Sequence, residues 1–304
     1  MNETPGSRMP LLHPAVVSAL ILTLAPVFAF GFAGERIAAS LHRLPVWMRI
    51  TLPAVFVLPY LIVTLPAGNL HPGWFLLYLL APPGMAALEI LATRRDPDQH
   101  GHWLDAIVLL PLGLAIDLRL LQSAWPAGTA VVGKLILLDS ALYAILGLRR
   151  LSGVGFDLRL RLSDFKTGLR EFFFYAPLAI PIGLALHFLA LHRHVSHPRL
   201  IAPIWLFSFF AVALPEEIFF RGWIQNLLER RIGPRWALFL TSALFGLSHF
   251  NKRSGIFNWQ YVILAALAGI FYGRAWRQNR RVGASAICHA TVDTIWGALF
   301  WRPY

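Results

Sequence analysis

The chain has 304 residues, of which 57% are hydrophobic and only 14% charged, and its mean hydropathy is +0.59. An ordinary soluble domain carries charged residues near ~25%, so this composition describes a polytopic membrane protein. The net charge of +12 does not make a nucleic-acid binder, because the 27 Lys and Arg are spread over short loops between apolar runs. The single cysteine, Cys288, excludes an intramolecular disulfide and any metal site made of cysteines alone.

Counting about 20 apolar residues per crossing, the first span runs from Pro14 to Ala33 and is too long for a signal-peptide core, so it reads as retained. Val46 to Ala67, Trp74 to Ala92, Trp103 to Ile116 and Ala127 to Leu148 follow. The Trp103 segment, short and containing Asp105 and Pro111, is the least secure. Next come Phe172 to Leu191, Leu200 to about Leu228, Trp236 to Phe250, Trp259 to Tyr272 and Val282 to Trp301. The expected fold is all-α, a transmembrane helical bundle of about eight to ten spans. With ten, alternate loops divide 18 to 7 in Lys and Arg, which puts both termini outside the cytoplasm.

Between the fifth and sixth spans lies the most polar interval, with Asp157, Arg159, Arg161, Asp164 and Lys166. Arg159 and Arg161 alternate with leucines, a pattern for lying flat at the membrane interface. The chain therefore divides into an N-terminal accessory transmembrane region, 1–150, a basic interfacial connector, 151–170, and a motif-bearing transmembrane core, 171–304.

Ionisable groups inside spans demand a reason, because each costs roughly 2.5–3.5 kcal/mol at mid-bilayer on insertion scales. The densest such stretch is Pro215-Glu216-Glu217-Ile218-Phe219-Phe220-Arg221. On a helix Glu217 and Arg221 stand four apart and can pair, while Glu216 points about 100° away. Pro215 would bend the chain beside Glu216. Two further apolar runs each carry a histidine, His249 and His289, and Asp293 shares a face with His289. Lys134 with Asp139, Glu89, Asp105 and Asp117 read as interhelical pairs or interface residues, and His100, His102 and the His192–His197 tract as solvated loops.

These residues resemble the CAAX protease and bacteriocin-processing family (CPBP, or Abi), described as glutamic-type intramembrane proteases. Its pattern, EExxxR, FxxxH and HxxxD/N, reads here as Glu216-Glu217-x-x-x-Arg221, Phe245-x-x-x-His249 and His289-x-x-x-Asp293. The match spans about Leu200 to Trp301, and nothing comparable anchors the first 150 residues. The resemblance implies a CPBP-like catalytic core that hydrolyses a peptide bond of a membrane-associated substrate near its C-terminus. Eukaryotic relatives trim prenylated CAAX proteins; prokaryotic ones are linked to bacteriocin maturation, self-immunity or sorting-tag processing. In this scheme Glu216 is the general base activating water, with His249 assisting. Glu217 and Arg221 are supporting residues that fix the helix, and His289 and Asp293 hold the oxyanion.

A carboxylate with two imidazoles, Glu216, His249 and His289, is also a ligand set acceptable to zinc, although HExxH is absent and Arg221 lies nearby. The expectation is no cofactor, with zinc as the alternative. A serine mechanism through Ser285, His289 and Asp293, or a Cys288 nucleophile, ignores Glu216 and His249. The non-enzymatic alternatives are a transporter using Glu216, Glu217, Lys134 and Asp139 as an ion path, or an immunity or scaffold protein. The expected partners are a membrane-associated peptide or protein substrate and the lipid bilayer, with no nucleic acid. The Arg-, Ala- and Trp-rich composition points to a bacterial inner (plasma) membrane.

Overall fold

A computed structural model describes residues 10, 13–191, 198–252 and 257–301. The His192–His197 tract lies outside the described residues. Most of every stretch expected to span is helical in the described residues, the exceptions lying at the ends of the stretches. The helices are α1 (Pro14–His42), α2 (Val46–Thr64), α3 (Pro72–Arg95), α4 (Trp103–Asp117), α5 (Ala130–Leu148), α6 (Leu162–Ala185), α7 (Pro198–Leu247), α8 (Trp259–Asn279) and α9 (Val282–Leu299). The α7 run holds two of the expected spans and is broken at Gly233, whose φ of 77° and ψ of 165° lie outside helical space. A two-residue antiparallel pair, β1 (Ala190–Leu191) with β2 (Phe300–Trp301), closes the end of α9. Five of these runs, α1, α2, α3, α5 and α7, are long and apolar enough to cross a membrane. The protein is an integral membrane protein, and large rings stand on its outside: Phe207 is 69% exposed and Trp236 68%.

The chain forms two compact units, Met1–Ser152 and Gly153–Tyr304. In the first, Tyr60, Tyr78 and Trp125 pack ring against ring, and Trp125 Nε1 donates to Tyr78 Oη at 2.8 Å. Gly133 makes this possible, since a Cβ there would stand 2.5 Å from the Trp125 ring nitrogen. Arg149 is buried among acids: Nη2 to Asp96 at 2.6 Å, Nε to Asp105 at 3.1 Å and to Glu89 at 3.8 Å. Lys134 and Asp139 are not joined by an ion pair among the described residues. Asp139 is buried, whereas Lys134 lies exposed at the rim of a cavity. His102 caps the start of α4, accepting from Leu104 N at 3.3 Å.

In the second unit, α6 packs on α8 and α9, while α8 and α9 pack on the two limbs of α7. The polar interval before α6 does not simply lie flat. Arg281 gathers it, with Nε 2.9 Å from Asp164, Nη1 3.1 Å from Asp157 and Nη2 2.8 Å from the Arg159 carbonyl. Gly155 is required there. Its φ is +75°, and a Cβ would fall 2.0 Å from the Arg280 carbonyl oxygen.

Candidate active site

Two short π-helical segments, Phe209–Ala213 and Ile218–Gln225, flank the α-helical turn Leu214–Glu217 inside α7. Such segments insert an extra residue per turn and gather at functional sites. They frame a turn in which the adjacent glutamates take opposite roles: Glu217 is 0% exposed and Glu216 28%.

Glu217 is held inside the protein by three groups. Arg221 Nε lies 3.1 Å from Oε2, His289 Nδ1 lies 2.8 Å from Oε1, and the Ser285 hydroxyl donates to Oε2. The Arg221 guanidinium is itself 0% exposed and sits 4.9 Å from the Phe245 ring centre, so an aromatic face covers the buried charge. Ser285 is therefore committed to Glu217, and both it and Cys288 are fully buried. Neither reaches a substrate, which removes the serine and cysteine readings.

Because a carboxylate only accepts, Glu217 keeps a proton on His289 Nδ1 and turns Nε2 outward. That nitrogen is 4.0 Å from Glu216 Oε2 and 3.7 Å from Asp293 Oδ2. Tyr272 stacks on the ring at 4.6 Å between centres. Asp293 also accepts from the Ser208 hydroxyl at 3.0 Å, a contact from the first limb of α7.

His249 does not belong to a helix. α7 ends at Leu247, and the histidine lies in the turn that follows. This accounts for its closeness to the basic residues after it while it still meets Glu216. Its Nδ1 lies 2.8 Å from the Phe245 carbonyl, which can only accept, so Nε2 carries the lone pair. Lys252 Nζ stands 3.4 Å from that Nε2 and 3.8 Å from Glu216 Oε1.

Glu216, His249, His289 and Asp293 thus line one cavity of about 380 Å³, with Lys252 in the same wall. Its other walls are apolar and aromatic, among them Tyr175, Tyr261 and Trp296. The sequence reading missed Lys252, Ser208 and Tyr272. For Lys252 a signal existed, its position three residues after His249.

A zinc ion fits these residues poorly. The point where Glu216 and His249 converge holds an ammonium group. Among the described residues, no group of three or more His, Cys, Asp or Glu is arranged to hold a metal ion.

Residues 198–295 match the family model described as type II CAAX prenyl endopeptidase, Rce1-like. The matched segment is about a third of the chain, and over it the chain is similar to that family. That Rce1-like segment contains all seven of the motif residues, from Glu216 to Asp293. Searches of curated proteins and of solved structures returned no match to the chain.

Proposed function

We propose that this protein is an intramembrane endopeptidase that uses a glutamate-activated water to cut a membrane-associated substrate near its C-terminus. The observation that carries the reading is the placement of Glu216 Oε2 4.0 Å from His289 Nε2 in the wall of a cavity shared with His249 and Asp293. Water enters beside Glu216 and His249. Glu216 takes its proton as the oxygen attacks the substrate carbonyl carbon, with the His249 Nε2 lone pair orienting the water. The carbonyl oxygen becomes an oxyanion on the His289 side. Doubly protonated His289 donates from Nε2 while Glu217 and Asp293 balance its charge. Collapse of the intermediate breaks the C–N bond, and the proton on Glu216 passes to the leaving amine. The aromatic walls suit an apolar or lipidated peptide, in keeping with the prenyl substrates named for the matched family.

The Lys252 ammonium favours water activation by a carboxylate over a metal-bound hydroxide. A bacterial inner membrane is the proposed location, with the lipid bilayer as its solvent. The test is cleavage of a fluorogenic prenylated peptide with a CAAX terminus by protein purified in detergent. Wild type should cut it, with and without exhaustive chelation, and Glu216→Gln should not. Cleavage by a correctly folded Glu216→Gln protein would refute the assignment of the base, and loss on chelation would restore the zinc reading.

A further inference from the structure

Two features of the cavity belong together. Lys252 contributes a positive charge at the one point faced by both Glu216 Oε1 and His249 Nε2. Its backbone is also anchored there, because Asn258 Nδ2 donates to the Lys252 carbonyl at 3.1 Å and Lys252 N donates to the His249 carbonyl at 3.2 Å. Asn258 in turn caps α8, accepting from Tyr261 N at 3.1 Å. The turn carrying His249 and the start of α8, which brings Tyr261 edge-on to the His249 ring at 4.7 Å, are therefore one hydrogen-bonded assembly with the lysine at its centre.

We propose that Lys252 is a positioning residue that supplies the fixed cation of this site, standing where a metal-dependent hydrolase would place its ion. A carboxylate oxygen and an imidazole lone pair aimed at one point repel each other unless something positive sits between them. Lys252 fills that role as a compact donor with three N–H bonds. It holds Glu216 and His249 converged and leaves Glu216 lone pairs for water, while the single His249 Nε2 lone pair is shared between Lys252 and that water. With the lysine between them, no three of the described His, Cys, Asp or Glu side chains are arranged to hold a metal ion, and the same occupancy keeps a divalent cation from drawing them together. The catalytic half of this inference rests on the reading of Glu216 and His249 as the water-activating pair. The charge-placement half does not.

The experiment therefore begins without substrate. Full-length protein lacking a polyhistidine tag is purified as wild type, Lys252→Met, Lys252→Arg and Lys252→Met with His249→Gln. Each is dialysed against micromolar Zn²⁺ and its metal content measured. Lys252→Met should take up about one equivalent, while wild type, Lys252→Arg and the double variant take up none at this site. Equal uptake by wild type and Lys252→Met, at one equivalent or at zero, overturns the proposal, as does uptake that survives loss of His249. If Lys252→Met does not elute as a folded monodisperse species, Lys252→Gln takes its place.

In the cleavage assay, Lys252→Met should lower kcat about tenfold or more with KM nearly unchanged, and Lys252→Arg should restore most of it. A rise in KM with kcat unchanged would instead make Lys252 a substrate contact and overturn the positioning role. If no variant, wild type included, cuts any prenylated peptide, the protease reading fails while the zinc uptake series still decides the placement of the charge.

Discussion

At the scale of single residues, the two adjacent glutamates separate into opposite classes of effect. Glu217 and Arg221 are an entirely buried pair, so removing one strips the other of its buried ionic partner and should cost about 3–5 kcal/mol. Arg221→Met is therefore expected to lower the thermal midpoint in detergent and the folded yield, before any question of chemistry arises. Glu216 is partly exposed in the cavity wall, and Glu216→Gln is nearly isosteric. It should leave the melting temperature unchanged while cutting turnover by about 10²–10⁴-fold, the range for loss of a general base. The contrast between the two variants, read by unfolding and turnover in parallel, distinguishes scaffold from catalyst. His289 belongs to both classes, since Nδ1 braces Glu217 and Nε2 faces the cavity.

At the scale of elements, the second unit depends on how the segment before α6 is latched to the α8–α9 turn. Gly155 passes so close to Arg280 that Gly155→Ala must move backbone on one side or the other. The expected cost is about 1–3 kcal/mol, measured as a loss of thermal stability. The latch is also acid-sensitive. Burial alone would raise the Asp157 carboxyl, but the Arg159 N–H at 2.9 Å and Arg281 outweigh it and hold Asp157 below its ordinary value of 3.8. A carboxyl depressed on folding adds stability above its ordinary value and loses it as pH falls through the depressed one. Wild type should thus lose stability as the pH drops below 3.8, and Asp157→Asn should show a flatter dependence over that window. Equal acid sensitivity in the two proteins would show that the latch does not depend on this charge.

At the scale of the whole molecule, the exposed outer rings of the spanning helices are expected to meet lipid, while protein encloses the site. Trp236 is 68% exposed, whereas Trp223 and Trp276 are fully buried. In bilayers of brominated lipid, Trp236→Phe should remove more of the quenchable tryptophan fluorescence than Trp223→Phe does. The reverse order would mean that the exposed face of α7 is not the lipid-facing one. Among the described residues, five helical runs qualify as spans by length and hydropathy. The shortfall against the ten expected segments has physical causes. α4 has 15 residues, α7 carries two of the segments as one broken run, and α6, α8 and α9 trade apolar content for polar groups that neighbouring helices satisfy.

Much of this was legible in the chain itself. Apolar runs of bilayer length specify helices whatever they pack against, because lipid leaves the backbone no other partner. The spacing of Glu217 and Arg221 or of His289 and Asp293 puts each pair on one helical face for the same local reason. What no spacing encodes is the meeting of groups from different segments. That Ser285 and His289 turn inward to Glu217, that His249 sits in a turn beyond its helix, and that Lys252 lies between His249 and Glu216 depend on how three segments pack. Only tertiary structure decides such contacts, since they join residues up to 72 positions apart through distances that local periodicity does not constrain.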